Sequence, residues 1–472
     1  MSNASILWFR KDLRLRDNQA LLEAQKHNSF IPIFIFDYKL EEYNKIGKAS
    51  LWWLEKSLMK LSKSLSNALA ILEGDSRELL LKICAEYDVK NVYWNRCYEQ
   101  DRIVADTKIK ADLKKNNINA VSFNSSLLWE PWTIKNKTGG PYKVFTPFYK
   151  VGCLNSTAPR KELSRKKIDN LKTLDNSIYL YKFKYNFNRA HWSDKFSRYW
   201  EPGEKGALAK FDNFIENGSK DYAVGRNFPD KANVSRLSPH LHWGEISPFY
   251  IWNFSQQSLE GDNKDIFLSE IAWREFAYHL LYNFPSLNKN NLKPNFDNFP
   301  WINDQECFKK WKKGLTGYPI IDAGIRELWE TGYMHNRSRM ITSSFLVKNL
   351  LTHWKYGERW FWDCLLDADL ANNSASWQWV AGTGTDAAPF FRIFNPITQS
   401  EKFDSDALYI KRYVPELKSL PKKYIFAPWT APNNILSECS IELGKSYPMP
   451  IVEYTFSRKR ALNVYNNFRK NN

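Results

Sequence analysis

The feature that most restricts how this chain can fold is a change of hydrophobic period partway along it. Over the first 125 or so residues, short apolar runs at Ile6–Phe9, Ile31–Phe36, Leu69–Leu72, Val92–Trp94 and Ala120–Phe123 have the length and composition of buried strands. Amphipathic stretches such as Ser50–Ser66 and Ser76–Tyr87 lie between them. Strand and helix in alternation predict a doubly wound parallel sheet. From about Leu127 to Trp200 the pattern decays, interrupted by Pro, Lys, Asn and Ser. After Gly206 the period is that of helices. Phe267–Leu281, Pro319–Glu330, Arg337–Leu351 and Glu358–Leu370 carry apolar residues at three- and four-residue spacing. Pro319 and Gly332 stand where a helix start and a helix stop are expected. The fold class is therefore α/β plus all-α: a doubly wound parallel-sheet domain over 1–127, a long linker over 128–200, and a helical domain over 201–472. The GTGTDA run at Gly382–Ala387 mimics a dinucleotide-binding loop, but it lies among helices with no strand before it, and is rejected as one.

Charge separates the two ends. The first 100 residues hold 15 basic and 13 acidic side chains, a balance of +2, which leaves +15 of the total +17 to the rest of the chain. A basic excess confined to the later part suits a polyanionic partner docking there, although a lysine-rich composition drift would give the same figure. The 20 tryptophans exceed ordinary usage and raise the question of stacking or redox roles beyond core packing. Six scattered cysteines, without a CxxC pair or a histidine at ligand spacing, suggest reduced thiols and no metal site. Neither a signal-peptide pattern at MSNASILWFRKD nor an apolar run of membrane-spanning length is found. A soluble, cytoplasmic protein is expected.

Four constellations could carry chemistry. Glu270, Trp273 and Arg274 share a helical face, where an aromatic plate, a carboxylate and a guanidinium can stack on a base, bind its edge and hold a phosphate. A buried tryptophan beside a surface ion pair would read the same way. Asn336 and Met340 lie one turn apart, an amide and a thioether suited to the floor of a pocket for a planar ligand. Asp367, Asp369, Asn372 and Asn373 sit among apolar residues and need partners if buried, with Arg339 a candidate for Asp367. Ser235-Arg236-Leu237-Ser238-Pro239 is either an anion-binding turn suited to a pyrophosphate or an ordinary helix start capped by Ser238.

Together with Trp8–Arg14 (WFRKDLR), Gly317-Tyr318-Pro319, His335–Met340 and Trp377–Pro396 (WQWVAGTGTDAAPFFRIFNP), these segments resemble one family, the photolyase/cryptochrome flavoproteins. Within it the chain looks most like the microbial class I cyclobutane pyrimidine dimer photolyases. The resemblance covers nearly the whole chain, and the last block is the most specific. It implies an α/β antenna domain and a helical domain holding FAD, with damaged DNA, duplex or single-stranded, bound over the flavin by a monomeric enzyme that needs no protein partner.

Position by position, the resemblance assigns FAD contacts to Tyr222, Ser235, Arg236, Leu237, Ser238, Phe267, Asn336, Arg339, Asp367, Ala368, Asp369 and Asn373, the last facing flavin N5. Glu270, Trp273, Asn336, Met340 and Trp379 would form the lesion pocket, and Arg226, Arg274, Arg337 and Arg392 would contact phosphates. Photolyases are among the enzymes that take their target base out of the stack. The reaction implied is that of a carbon–carbon lyase (deoxyribodipyrimidine photo-lyase): electron transfer from excited, fully reduced FAD, opening of the dimer, and return of the electron. Glu270, Asn373 and Met340 would act at the reacting centre. Relatives that repair (6-4) photoproducts place histidines where Asn336 and Met340 stand, so this chain lacks that proton donor. Trp301, Trp354 and Trp377 match the family's electron-transfer chain. A second, antenna chromophore is implied, and 5,10-methenyltetrahydrofolate is the commonest. Tyr98-Glu99-Gln100-Asp101-Arg102 departs from the usual folate-binding run. The competing function is a cryptochrome-like blue-light receptor without repair activity, against which stands the absence of a long polar tail after Pro396.

Overall fold

The structure is a computed structural model that describes residues 4–37, 39–40, 46–164, 167–174 and 191–470. The linker expected over 128–200 therefore falls partly outside the described residues. Two compact units are formed: Met1–Ser219 with Ser235–Pro285 and Leu366–Ala371, and Lys220–Val234 with Ser286–Leu365 and Asn372–Asn472.

In the first unit, β1 (Ala4–Phe9), β2 (Ser29–Phe36), β3 (Ala70–Glu73), β4 (Asn91–Asn95) and β5 (Asn119–Phe123) make a parallel sheet of order β3-β2-β1-β4-β5. All five coincide with the apolar runs expected from sequence, and the sheet is doubly wound. Every residue of β1 is buried, which is why its sequence is apolar without alternation apart from Ser5, whose hydroxyl donates to the Ala24 carbonyl (3.1 Å). Ile6, Trp8, Ile33, Val92 and Trp94 pack with Leu80, Ile83, Ile109 and Leu113 of the crossing helices Ser76–Glu86 and Gln100–Lys115. Burying each aliphatic or aromatic side chain contributes roughly 1.5–3 kcal/mol.

The winding reverses between β1 and β4, where such sheets receive ligands at their carboxyl ends. Here the crevice is closed by side chains. Arg10 binds Asp106 (2.7 Å), Asn95 donates to Asp12 (2.6 Å) and Lys11 pairs with Glu99. Gly244, at φ +64°, lies against this end, and a Cβ there would stand 2.0 Å from the Lys11 carbonyl oxygen. Arg14 donates to the Gly244 and Ser125 carbonyls (2.9 and 2.8 Å), fixing the 235–285 segment to the end of β1.

The second unit is helical. Pro319–Thr331 starts on its proline and ends on Gly332 at φ +68°, as the sequence predicts. Two other helices differ from expectation. Arg337–Leu351 is Asn336–Ser344 followed by a wide π turn, Phe345–Asn349, in which Leu350 N–H reaches back to the Phe345 carbonyl (3.0 Å). Glu358–Leu370 is Trp354–Cys364, broken at an extended Leu365, and helix resumes at Leu370. Leu365, Leu366 and Ala368 are all buried, so apolar spacing runs through the break and conceals it. Among the described residues no helix is long and apolar enough to cross a membrane.

Candidate functional site

In the first unit the 235–238 turn stands beside the 366–371 segment. Arg236 takes a left-handed φ of +52°, and its guanidinium lies 4.8 Å above the Trp200 ring. Leu237 is buried, Ser235 half-buried and Ser238 exposed. The Ser238 hydroxyl does not cap the helix Ser238–His242; it donates to Asp367 (2.5 Å). That removes the capping alternative. Asp369 is buried with Tyr278 donating to it, His242 Nδ1 at 3.6 Å and Lys11 close by. Burial alone would raise its pKa, but the His242, Lys11 and Tyr278 contributions together hold it well below the ordinary carboxylate range.

The helix Gly261–Asn283 carries the second group. Phe267 is buried against Phe214 (4.7 Å), a packing role. Glu270 and Trp273 are half-buried. Phe145 stacks on the Trp273 indole at 3.7 Å and 10°, which backs one face and fixes the plane of the ring. Arg274 departs from the phosphate-contact expectation. Its side chain is 13% exposed, and it donates to the Ser126 carbonyl (2.7 Å) and to Glu275 (3.0 Å). Glu275 was not anticipated from sequence. It is buried and also accepts from the N–H groups of Leu128 (2.7 Å) and Trp129 (3.3 Å); burial pushes its carboxyl up to about 7 against these lowering contacts.

In the second unit the helix Asn336–Ser344 starts on Asn336, with His335 accepting from Arg337 N–H (3.1 Å). Asn336 is exposed and Met340 half-buried one turn on. Arg337 donates to Asn227 and lies 4.1 Å over Phe403. Arg226 stands 5.7 Å from the ring of buried Tyr222. Arg339 Nε donates to the Met334 carbonyl (2.7 Å), and its pairing with Asp367, which lies in the other unit, stays an expectation. Asn373 is buried and gives its amide N–H to the Glu358 carbonyl (3.1 Å), which leaves Oδ1 as its acceptor. Trp379 is half-buried and Arg392 exposed.

Of the redox candidates, Trp377 and Trp354 are buried. Trp377 packs on Gly357, one turn beyond Trp354 in the helix Trp354–Cys364. His353 bridges Trp354 (5.7 Å) and Trp301 (5.3 Å). Three further indoles, not singled out in the sequence, continue from Trp377: Trp311 at 6.4 Å, Trp360 a further 5.1 Å on, and Trp329 at 6.0 Å from Trp360. Only their number signalled them beforehand, because indoles distant in sequence meet only in the fold.

The residues present fit FAD. Within the first unit, a left-handed turn with two serines and an arginine suits a pyrophosphate, and Asp367 and an ionised Asp369 beside it supply polar, anionic groups; within the second unit, the buried Asn373 keeps its Oδ1 as an acceptor. The doubly wound unit and these polar groups agree with the class that the resemblance implies, flavin-dependent light-driven enzymes and receptors. Family models agree: the DNA photolyase model matches residues 5–164 and the FAD-binding domain of DNA photolyase matches 267–467. A deoxyribodipyrimidine photo-lyase of Agrobacterium fabrum is 46% identical over 98% of this chain and 97% of its own length. Cryptochrome-1 of Arabidopsis thaliana is 35% identical over 95% of this chain and 68% of its own. The crystal structure of a class III photolyase from Agrobacterium tumefaciens superposes with a TM-score of 0.94 at 44% identity, covering 100% of this chain and 98% of that one. The chain belongs to the photolyase/cryptochrome family; it is an enzyme of the photolyase type with FAD as cofactor.

Proposed function

We propose that this protein repairs cyclobutane pyrimidine dimers in DNA with light. The carrying observation is the helix that begins at Asn336 and sets Met340 one turn along it, a pair without a proton donor where oxygen-transfer repair needs one. FAD, when bound, supplies the light-driven electron that opens the dimer. Ser235, Arg236, Leu237 and Ser238 hold its phosphates, and Tyr222, Phe267, Arg339, Asp367, Ala368, Asp369 and Asn373 surround the remainder. Trp273, backed by Phe145, and Trp379 flank the extruded bases, with Asn336 and Met340 beneath them. Glu270 binds a base edge. Arg226, Arg337 and exposed Arg392 take the phosphates, whereas Arg274 serves to tie in the 126–129 segment.

The subclass follows the class III relative rather than class I, given the 44% identity across the whole chain. An antenna chromophore belongs to this proposal, with methenyltetrahydrofolate the family's commonest; Glu99 is committed to Lys11, so its contacts fall elsewhere. So do the division at residues 127 and 200, monomeric state and cytoplasmic location. A receptor without repair is the second reading, favoured by the 35% identity to Cryptochrome-1. Blue light on reduced protein with dimer-containing duplex and single-stranded oligonucleotides decides between them. Loss of dimers on either supports repair, loss on single strands alone narrows the substrate, and no loss on both overturns the proposal.

A further inference from the structure

Lys348 is 2% exposed and lies on the π turn Phe345–Asn349 that ends the helix begun at Asn336. Its ammonium donates to two backbone carbonyls, those of Arg392 (2.8 Å) and Pro389 (3.4 Å). Those carbonyls are the two ends of a tight turn closed by the Arg392 N–H bond to Pro389 (2.9 Å). Within the turn, Phe390 is buried against Phe296, Phe299 and Tyr465, whereas Phe391 is 58% exposed and Arg392 is exposed. A buried cation is costly, and burial together with nearby Arg392 pushes this one down to about 7. General packing does not call for a lysine here, since a methionine fills the same volume without that cost.

We infer that Lys348 is a positioning residue for DNA binding: it pins both ends of the Pro389–Arg392 turn and so holds Arg392 and the exposed Phe391 ready for a nucleic-acid strand. The inference deepens the proposed repair function and rests on it for the identity of the partner. The clamp itself is a property of the free protein.

Two measurements on the full-length, FAD-loaded protein test it. Trypsin cleaves after Arg392, and the peptide beginning at Ile393 reports how often the turn opens. Lys348→Met loses both charge-assisted hydrogen bonds, and this peptide is expected to appear about tenfold faster. Lys348→Arg, which keeps charge and donors, should restore slow cleavage. In the second measurement, Lys348→Met weakens binding to a dimer-containing oligonucleotide, but weakens it no further when added to the Phe391→Ala/Arg392→Ala protein, in which both positioned side chains are already gone. Cleavage at the wild-type rate in Lys348→Met, or a further loss of binding when it is added to the Phe391→Ala/Arg392→Ala protein, overturns the clamp. Should Lys348→Met not fold, hydrogen exchange on the wild type replaces it: an Arg392 amide exchanging as in an unstructured peptide overturns the pinned turn, and protection of tenfold or more supports it. Wild-type protein that binds no damaged DNA defeats the repair reading, while the cleavage arm still judges the clamp.

Discussion

Gly357 offers the sharpest test of how the redox tryptophans are seated. A Cβ added there would lie 2.1 Å from Cη2 of Trp377, with Cζ3 and Cζ2 at 2.6 and 2.7 Å. Carbon atoms in contact stand about 3.5–4.0 Å apart, so in Gly357→Ala the indole must retreat by about 1.5 Å. It has little room, being 2% exposed and packed on Phe361 (5.0 Å) and Trp311 (6.4 Å). Overpacking of this kind costs about 1–3 kcal/mol. Alanine in a helix interior offsets this by about 1 kcal/mol relative to glycine. The balance is a net destabilisation of roughly 1 kcal/mol, or about 2–4 °C in the unfolding midpoint of a domain this size. Thermal unfolding followed by near-ultraviolet circular dichroism reads that midpoint, and bleaching of oxidised flavin under blue light with external reductant reads the wire. A slower photoreduction should accompany the lower midpoint. An equal or higher midpoint with unchanged photoreduction would refute the placement of Trp377 against this helix.

Trp377→Phe should impair photoreduction by at least tenfold yet spare dimer repair once the flavin is chemically reduced; Trp354→Phe and Trp360→Phe should each slow it less, since the Trp311–Trp360 series adds a second path to the one the resemblance assigns through Trp354, and a complete block by either single variant would assign all current to one route. Glu275, raised to about 7 in the fold from 4.5, contributes stability that is present below pH 4.5 and lost as pH rises through 7, on the order of 3 kcal/mol. Glu275→Gln should therefore flatten the fall in urea midpoint between pH 5 and 8, and an unchanged profile would place the titration elsewhere. Asp106→Ala strands the buried Arg10 guanidinium at the end of β1 and should cost about 3–5 kcal/mol by denaturant unfolding. Glu270→Ala should lower repair yield with FAD retained, measured as dimers split per photon absorbed.

Much of the fold was legible because its elements obey one period each. The inner strands of the sheet read directly, since strands buried on both faces are largely apolar and bounded by turns, and the edge strands β3 and β5 still carry short apolar runs. The site was legible by a different route, as ordered motifs of a resembled family. What neither route could supply was the commitment of particular side chains. Arg274 was expected at a phosphate, but it binds the Ser126 carbonyl and Glu275, because that carbonyl comes from 148 residues away and only the fold brings it near. The same holds for Phe145 behind Trp273 and for the Trp311, Trp360 and Trp329 series.

Three of the places where local rules fail coincide with groups that matter to the proposed chemistry. Arg236 takes a backbone conformation disfavoured for any residue with a side chain, and it stands in the anion turn. The break after Cys364 interrupts a well-patterned helix and delivers Asp367 and Asp369. The π turn at Phe345–Asn349 ends another early and delivers Lys348 to the loop of Arg392. A regular helix would place each of these groups on a ridge with its neighbours one turn away, bound for packing. Interruption re-aims one polar side chain while the apolar residues on either side stay buried, as Leu365, Leu366 and Ala368 do around the carboxylates and Phe345, Leu346 and Val347 do around the lysine. The hydrophobic pattern therefore survives the interruption, and for that reason periodicity overlooks it. In a chain of this kind the search for function should begin where an unbroken apolar period contains a charged residue at a buried position, the signature shared by Asp369 and Lys348.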